Sequence, residues 1–162
     1  MANPVYELLL TRDRLEGPRE IVDPSTHSTD AQGRPSLGTS LEVGAIVDFW
    51  GVVRELEDGR EIEGIEYEAN TIMAKHQLEK IAKRAASDFA VNLIVIHHRI
   101  GFVRTSESSL WVRVAARHRA EAFAASQWIV DELKKTVPIW KKPRFKVETQ
   151  RRASHSEPAT AK

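Results

Sequence analysis

The chain has 162 residues, 41% hydrophobic and 29% charged, with a formal net charge of +1. That balance suits one soluble domain with a sizeable core, has no run near the ~20 apolar residues of a membrane helix, and argues against wholesale polyanion binding. Cysteine is absent, which excludes disulfides, thiolate metal sites and thiol chemistry carried by the chain itself.

Val5–Leu10 reads as a first strand. The N-terminal stretch has neither a basic n-region nor a long apolar h-region, so a cytoplasmic location is expected. Residues 15–39 are punctuated by Gly17, Pro18, Pro24, Gly33, Pro35 and Gly38 and show no period; they read as a long loop. Gly44–Val53, GAIVDFWGVV, is rich in β-branched and aromatic residues and reads as a strand, with Gly51 marking a bulge or a close backbone approach. Arg54 follows. Glu57-Asp58-Gly59-Arg60 is a hairpin turn, and Ile62–Glu68 is the returning strand.

Asn70 or Thr71 caps a helix over about 72–87, with Leu78, Ile81, Ala82 and Ala85 on its buried stripe. Asn92–Gly101 holds an apolar strand ending in His97, His98 and Arg99. A turn through Gly101–Ser108 leads to a strand over Leu110–Ala116. A second helix follows Arg117, with Ala122, Ile129, Leu133 and Val137 along its apolar line, and stops near Thr136 before Pro138. Ile139 and Trp140 are expected to anchor the next segment. The order β-β-β-α-β-β-α implies an α+β fold, with helices packed on a mostly antiparallel sheet. One domain over 1–146 and a polar, disordered tail over 147–162 are expected.

Charge is unevenly spread. Lys134, Lys135, Lys141, Lys142, Arg144, Lys146, Arg151 and Arg152 face only Glu148 in the same stretch, and such a local excess favours an anionic partner. His118-Arg119, where a strand turns into a helix, is either an anion site at a helix start or a solvated pair. Lys134 lies on the Phe123/Val130 line, where it is either a lysine of lowered pKa or a snorkelling one. Lys141-Lys142 after Pro-Ile-Trp forms a rigid basic turn that can grip an anion. Arg54 beside Gly51 can fork a phosphate or carboxylate. His97 and His98 are neighbours in a strand, face opposite sides, and make poor joint metal ligands. No metal site and no cofactor are expected.

GAIVDFWGVVR at 44–54, YEANTIMAKHQLEKIA at 67–82, VIHHRIG at 95–101 and VAARHRAEAFAASQWIVDELKKTVPIWKK at 114–142 together resemble the large, catalytic subunit of molybdopterin synthase. About two thirds of the chain is covered; residues 15–39 and the tail lie outside it. The resemblance implies an α/β hammerhead fold and a homodimer within a heterotetramer. It also implies a small ubiquitin-like sulfur carrier, whose C-terminal Gly-Gly thiocarboxylate enters the active site. The reaction implied is insertion of two sulfurs into cyclic pyranopterin monophosphate, making the dithiolene of molybdopterin. Arg54, His118, Arg119, Lys134 and Lys141 match functional positions of the family, Phe49 a pocket aromatic, and Val52 and Val53 a substrate-contacting backbone. Lys134 and Lys141 are expected to be catalytic, with Lys142 beside the substrate. Where the family often carries an acid two residues after the second lysine, this chain has Pro143. The alternatives are a non-catalytic module that binds RNA or another polyanion, or one that only docks a carrier; the enzyme reading expects no nucleic acid and no membrane.

Overall fold

The computed structural model describes residues 4–15 and 43–147. The 15–39 loop, apart from Leu15, and the tail beyond Val147 lie outside the described residues. Within them the order is β1 (Val5–Thr11), β2 (Ala45–Val52), β3 (Leu56–Glu57), β4 (Arg60–Ala69), α1 (Thr71–Phe89), β5 (Val91–Arg99), β6 (Gly101–Arg104), β7 (Ser108–Ala116), α2 (Arg119–Thr136) and β8 (Ile139–Phe145).

Two sheets form. The first has strand order β1-β5-β7-β2, with β1 parallel to β5 and the other pairs antiparallel. Both helices pack on one of its faces, because the period-2 apolar residues of the strands meet the 3.6-period stripes of the helices there. Ile94, Ile96, Val112 and Val114 from the strands are buried against Leu78, Ile81, Ile129 and Leu133 from the helices. Asn70 starts α1 as expected, its side chain accepting from the Met73 N–H at 3.1 Å. Lys75, Lys80, Lys83 and Arg84 face outward.

The second sheet is built on β4, which pairs with β3, β6 and β8. Its own small core joins Val53, Ile62, Ile65, Tyr67 and Val103, with Ile139 and Phe145 packed on it. The β3–β4 turn carries Asp58 at φ 51° and Gly59 at φ 75°, the left-handed pair that a two-residue hairpin needs.

Three expectations are corrected. Residues after Gly101 are not only a turn: β6 occupies Gly101–Arg104 and pairs with β4, a partner some forty positions back in the chain. Four residues are too few to show a period. The basic segment after Pro138 is a strand, β8, not a turn. Trp140 anchors nothing within the described residues, being 55% exposed on the strand's outer side; Ile139 alone packs inward.

The far side of the first sheet is held by polar pairs. Arg113 binds Asp48 with two hydrogen bonds of 2.6 Å, and the Trp111 indole N–H donates to Asp48 at 2.9 Å. Burial alone would raise the Asp48 carboxyl, but these hydrogen bonds and the Arg113 charge outweigh it and hold it below its ordinary value. At the β6–β7 turn Glu107 receives Arg99 at 2.8 Å and also Arg14. Those hydrogen bonds pull its carboxyl from 4.5 to about 2. A carboxyl lowered in the folded state stabilises above its unfolded value and loses that contribution as pH falls toward the folded one. His98 works in the same direction: burial lowers its pKa, so acid below its ordinary 6.5 favours unfolding. Urea midpoints should therefore show wild type ahead of Glu107→Gln at neutral pH, with the gap closing between pH 4.5 and about 2. An unchanged gap at the acid end would contradict this account.

Candidate functional site

Two elements converge to make the site. The first is the end of β2. Gly51 stands where a side chain's Cβ would lie 3.2 Å from the Leu110 Cβ, and the β2–β7 register shifts between Gly51 and Val52. The bulge and the close approach expected at this glycine are both present. The strand is thereby turned out of the sheet. Val52 is 52% exposed, Val53 drops into the second core, and Arg54 projects into solvent. Val53 is pinned on both sides, its N–H donating to the Glu107 carbonyl at 3.0 Å and its carbonyl accepting from the Ser106 N–H at 2.8 Å. Phe49 is half-buried against the main core one turn of the pleat earlier.

The second element is the β4–β8 ladder. Residues directly opposite in an antiparallel pair share a face. Tyr67 stands opposite Lys141, Ile65 opposite Pro143, and Glu66 opposite Lys142. Lys141 and Lys142 therefore point to opposite sides. Lys141 lies on the side of the second core, with Tyr67. Lys142 lies on the outer side and binds Glu68 at 2.7 Å. Its neighbours do the same: Arg144 binds Glu66 at 2.6 Å and Lys146 binds Glu61 at 3.0 Å. Arg144 also covers the Phe102 ring.

This pairing answers the charge surplus read along the chain. Lys142, Arg144 and Lys146 of that run take their acids from β4, more than seventy positions earlier. Among the described residues, these three cations have counter-charge in space that the linear run does not show, so their surplus along the chain is no argument for a polyanion partner.

Arg54 and Lys141, by contrast, share one partner. Glu57 Oε2 is 3.5 Å from Arg54 Nη2, and Glu57 Oε1 is 3.9 Å from Lys141 Nζ. Beneath them runs a buried polar chain: the Tyr67 hydroxyl donates to Ser109 Oγ at 3.2 Å, and Ser109 donates to the Gly51 carbonyl at 3.3 Å. It ties β4, at the residue that pairs with Lys141, to the bulge that aims Arg54. Burial raises the Tyr67 hydroxyl above its ordinary value, the Ser109 hydrogen bond opposes this, and the charge of Glu57 adds to the rise. Sequence reading saw Glu57 only as a turn residue and Tyr67 only as an apolar position of the returning strand, and gave Ser109 no role in the site. The alternation placed Tyr67 on the inner face of β4, but the partner of its hydroxyl lies 42 positions away and only the fold shows it.

Lys134 stands exposed in the last turn of α2, beyond the buried Val130 and Leu133. It makes no ion pair among the described residues. His118 is the N-cap residue of α2, with no side-chain capping bond, and Arg119 opens the helix; both are exposed. The helix is unbroken over 18 residues. His118 and Lys134 thus stand about 24 Å apart at ~1.5 Å per residue, at opposite ends of one rod. One protomer brings Arg54 and Lys141 together and leaves His118 and Arg119 remote from Lys134. No group of three or more His, Cys, Asp or Glu among the described residues is arranged to hold a metal ion. No described helix is long and apolar enough to cross a membrane.

The family model described as MoaE protein matches residues 23–136. It begins inside the 15–39 stretch, so the likeness extends further toward the N-terminus than the sequence motifs suggested. A molybdopterin synthase catalytic subunit of Pyrococcus abyssi is 44% identical over 107 residues, covering 66% of this chain and 72% of that protein. The protein of the same description from Oryza sativa subsp. indica is 35% identical over 123 residues, covering 76% of this chain and 64% of its own. Among solved structures, molybdopterin synthase from Staphylococcus aureus superposes with a TM-score of 0.63 at 33% identity, covering 67% of this chain and 79% of that one. A complex of subunits 1 and 2 of molybdopterin-converting factor from Helicobacter pylori gives 0.54 at 26%, covering 67% and 75%.

Proposed function

The chain belongs to the MoaE protein family and is a sulfur-transfer enzyme of molybdopterin synthesis, acting as the catalytic subunit of molybdopterin synthase, and on that premise we propose which of its groups carry the transfer. The Helicobacter relative is a two-subunit complex, which supports a small-subunit partner here. That partner is a ubiquitin-like carrier whose C-terminal Gly-Gly thiocarboxylate donates sulfur. The acceptor is cyclic pyranopterin monophosphate, converted to the dithiolene by two insertions, each returning the carrier tail as a carboxylate. A chain without cysteine cannot relay that sulfur on a thiol of its own. The setting is the cytoplasm.

Thiocarboxylate and phosphate are both anions and must approach within bonding distance, so the site has to offset their repulsion. Lys134 is the principal catalytic group, giving positive charge, or a proton, where the acyl intermediate develops. Lys141 supports it. Arg54, His118 and Arg119 hold the phosphate end against the Val52–Val53 backbone and Phe49. Lys142, bound to Glu68 on the other face, has the weaker claim to substrate. The observation that carries the reading is the meeting of Arg54 and Lys141 at one carboxylate beside the bulge, while the remaining cations of β8 are spent on β4.

The length of α2 bears on assembly. A small pterin cannot span about 24 Å. His118 and Arg119 therefore complete the site of a neighbouring subunit, in a homodimer flanked by two carriers. The direct test is incubation with cyclic pyranopterin monophosphate and thiocarboxylated carrier, followed by detection of the oxidised dithiolene product. The shared site is checked by mixing Lys134→Ala with His118→Ala protein. Hybrid dimers should recover activity that neither parent has, and proven subunit exchange without recovery would refute sharing.

A further inference from the structure

The geometry points to Glu57 as the positioning residue of the transfer site, a carboxylate that draws Arg54 and Lys141 together before either anionic reactant arrives. This rests on the reading above, in which those two cations face the reactants.

Each oxygen of Glu57 takes a different cation, Oε2 the Arg54 guanidinium at 3.5 Å and Oε1 the Lys141 ammonium at 3.9 Å. Exposure decides which member is the anchor. The Arg54 and Lys141 side chains are 79% and 55% exposed, that of Glu57 only 21%. Its backbone is fixed as well. Glu57 ends β3 directly opposite Arg60, immediately before the tight Asp58-Gly59 turn. A carboxylate held by a hairpin thus gathers two long side chains that would otherwise sample solvent and repel one another.

No other described acid is shown in this role. Glu66 and Glu68 lie on the opposite face of β4, bound to Arg144 and Lys142. On β8 itself the residue that shares Lys141's face two positions on is Pro143, which has no carboxylate. Proline is tolerated there because, among the described residues, β8 is an edge strand paired with β4 alone. The hairpin therefore supplies from across the sheet what the strand does not supply in line.

The arrangement has a kinetic consequence. Glu57 leaves the three groups with one net positive charge. An arriving phosphate or thiocarboxylate must compete with it for the same cations. Glu57 thereby sacrifices ground-state grip for geometry. Glu57→Gln keeps the shape and removes the charge. Its kcat should fall about tenfold through lost orientation, while KM for the pterin does not rise. Pro143→Glu added to Glu57→Gln returns a carboxylate to the face of Lys141 and should bring kcat back to within about threefold of wild type. Glu57→Asp, which keeps the charge one methylene further back, should be intermediate and serves if the glutamine variant folds poorly.

Wild type and Lys134→Ala are run in the same product assay. A wild type that makes no dithiolene sinks the parent reading. An active wild type beside a Glu57→Gln enzyme of unchanged kcat and KM overturns only the role of Glu57. So does a loss of kcat that neither Pro143→Glu nor Glu57→Asp relieves, because the hairpin would then matter only as structure.

Discussion

Lys134→Ala protein is expected to lose roughly 10²- to 10³-fold in turnover, the range seen when one preorganised hydrogen-bond donor is removed from a transition state. It should do so without losing its fold. Lys134 lies on the exposed side of the last turn of α2, and its stabilising part is limited to the helix dipole, about 0.3–1 kcal/mol. The buried residues beside it, Val130 and Leu133, keep their packing. Thermal midpoint and carrier affinity should therefore stay near wild type while product formation collapses. Single-turnover measurement of dithiolene product with saturating carrier separates the chemical step from binding. A variant that turns over within a few-fold of wild type would remove Lys134 from the mechanism and pass the principal role to Lys141.

The second large effect concerns stability. Asp48→Ala should destabilise the chain by about 3–5 kcal/mol, the cost of leaving a buried charge without its partner. Arg113 is only 8% exposed and is held by two hydrogen bonds to Asp48; the Trp111 indole loses its acceptor in the same substitution. Truncating the acid keeps the guanidinium buried and removes its compensation. Replacing both members, Asp48→Leu with Arg113→Met, should recover most of the loss, since an apolar pair of similar volume often matches a buried ion pair. Urea unfolding of the two variants at neutral pH decides it. The consequence reaches the site, because Asp48 lies three residues before Gly51 on the strand whose bulge aims Arg54. A loss below about 1 kcal/mol in Asp48→Ala would mean that water reaches Arg113 and that the pair is worth no more than a surface one.

Local pattern was a good guide wherever neighbours in sequence are neighbours in the element. The 3.6-residue apolar spacing placed both helices, the Asn70 cap and the stop before Pro138 placed their ends, and Gly51 announced its bulge. The motif strings also announced the family, since they carry the turn and helix-start residues together with the lysines. β6 and β8 were not legible, for different reasons. β6 is too short to show a period. β8 reads KKPR, a composition that strands avoid, and exists as a strand because β4 offers Glu61, Glu66 and Glu68 at matching register.

Alone, then, the order of residues determined the two helices, the main strands, the absence of thiol chemistry and the family to which the chain belongs. Tertiary structure alone decided which cations are available. Lys141 and Lys142 are adjacent and chemically identical, yet the pleat turns one toward Glu57 and Arg54 and the other toward Glu68. Charge acts through space over a few ångströms, and the sequence gives no distance between residues 57 and 141 until the strands have paired.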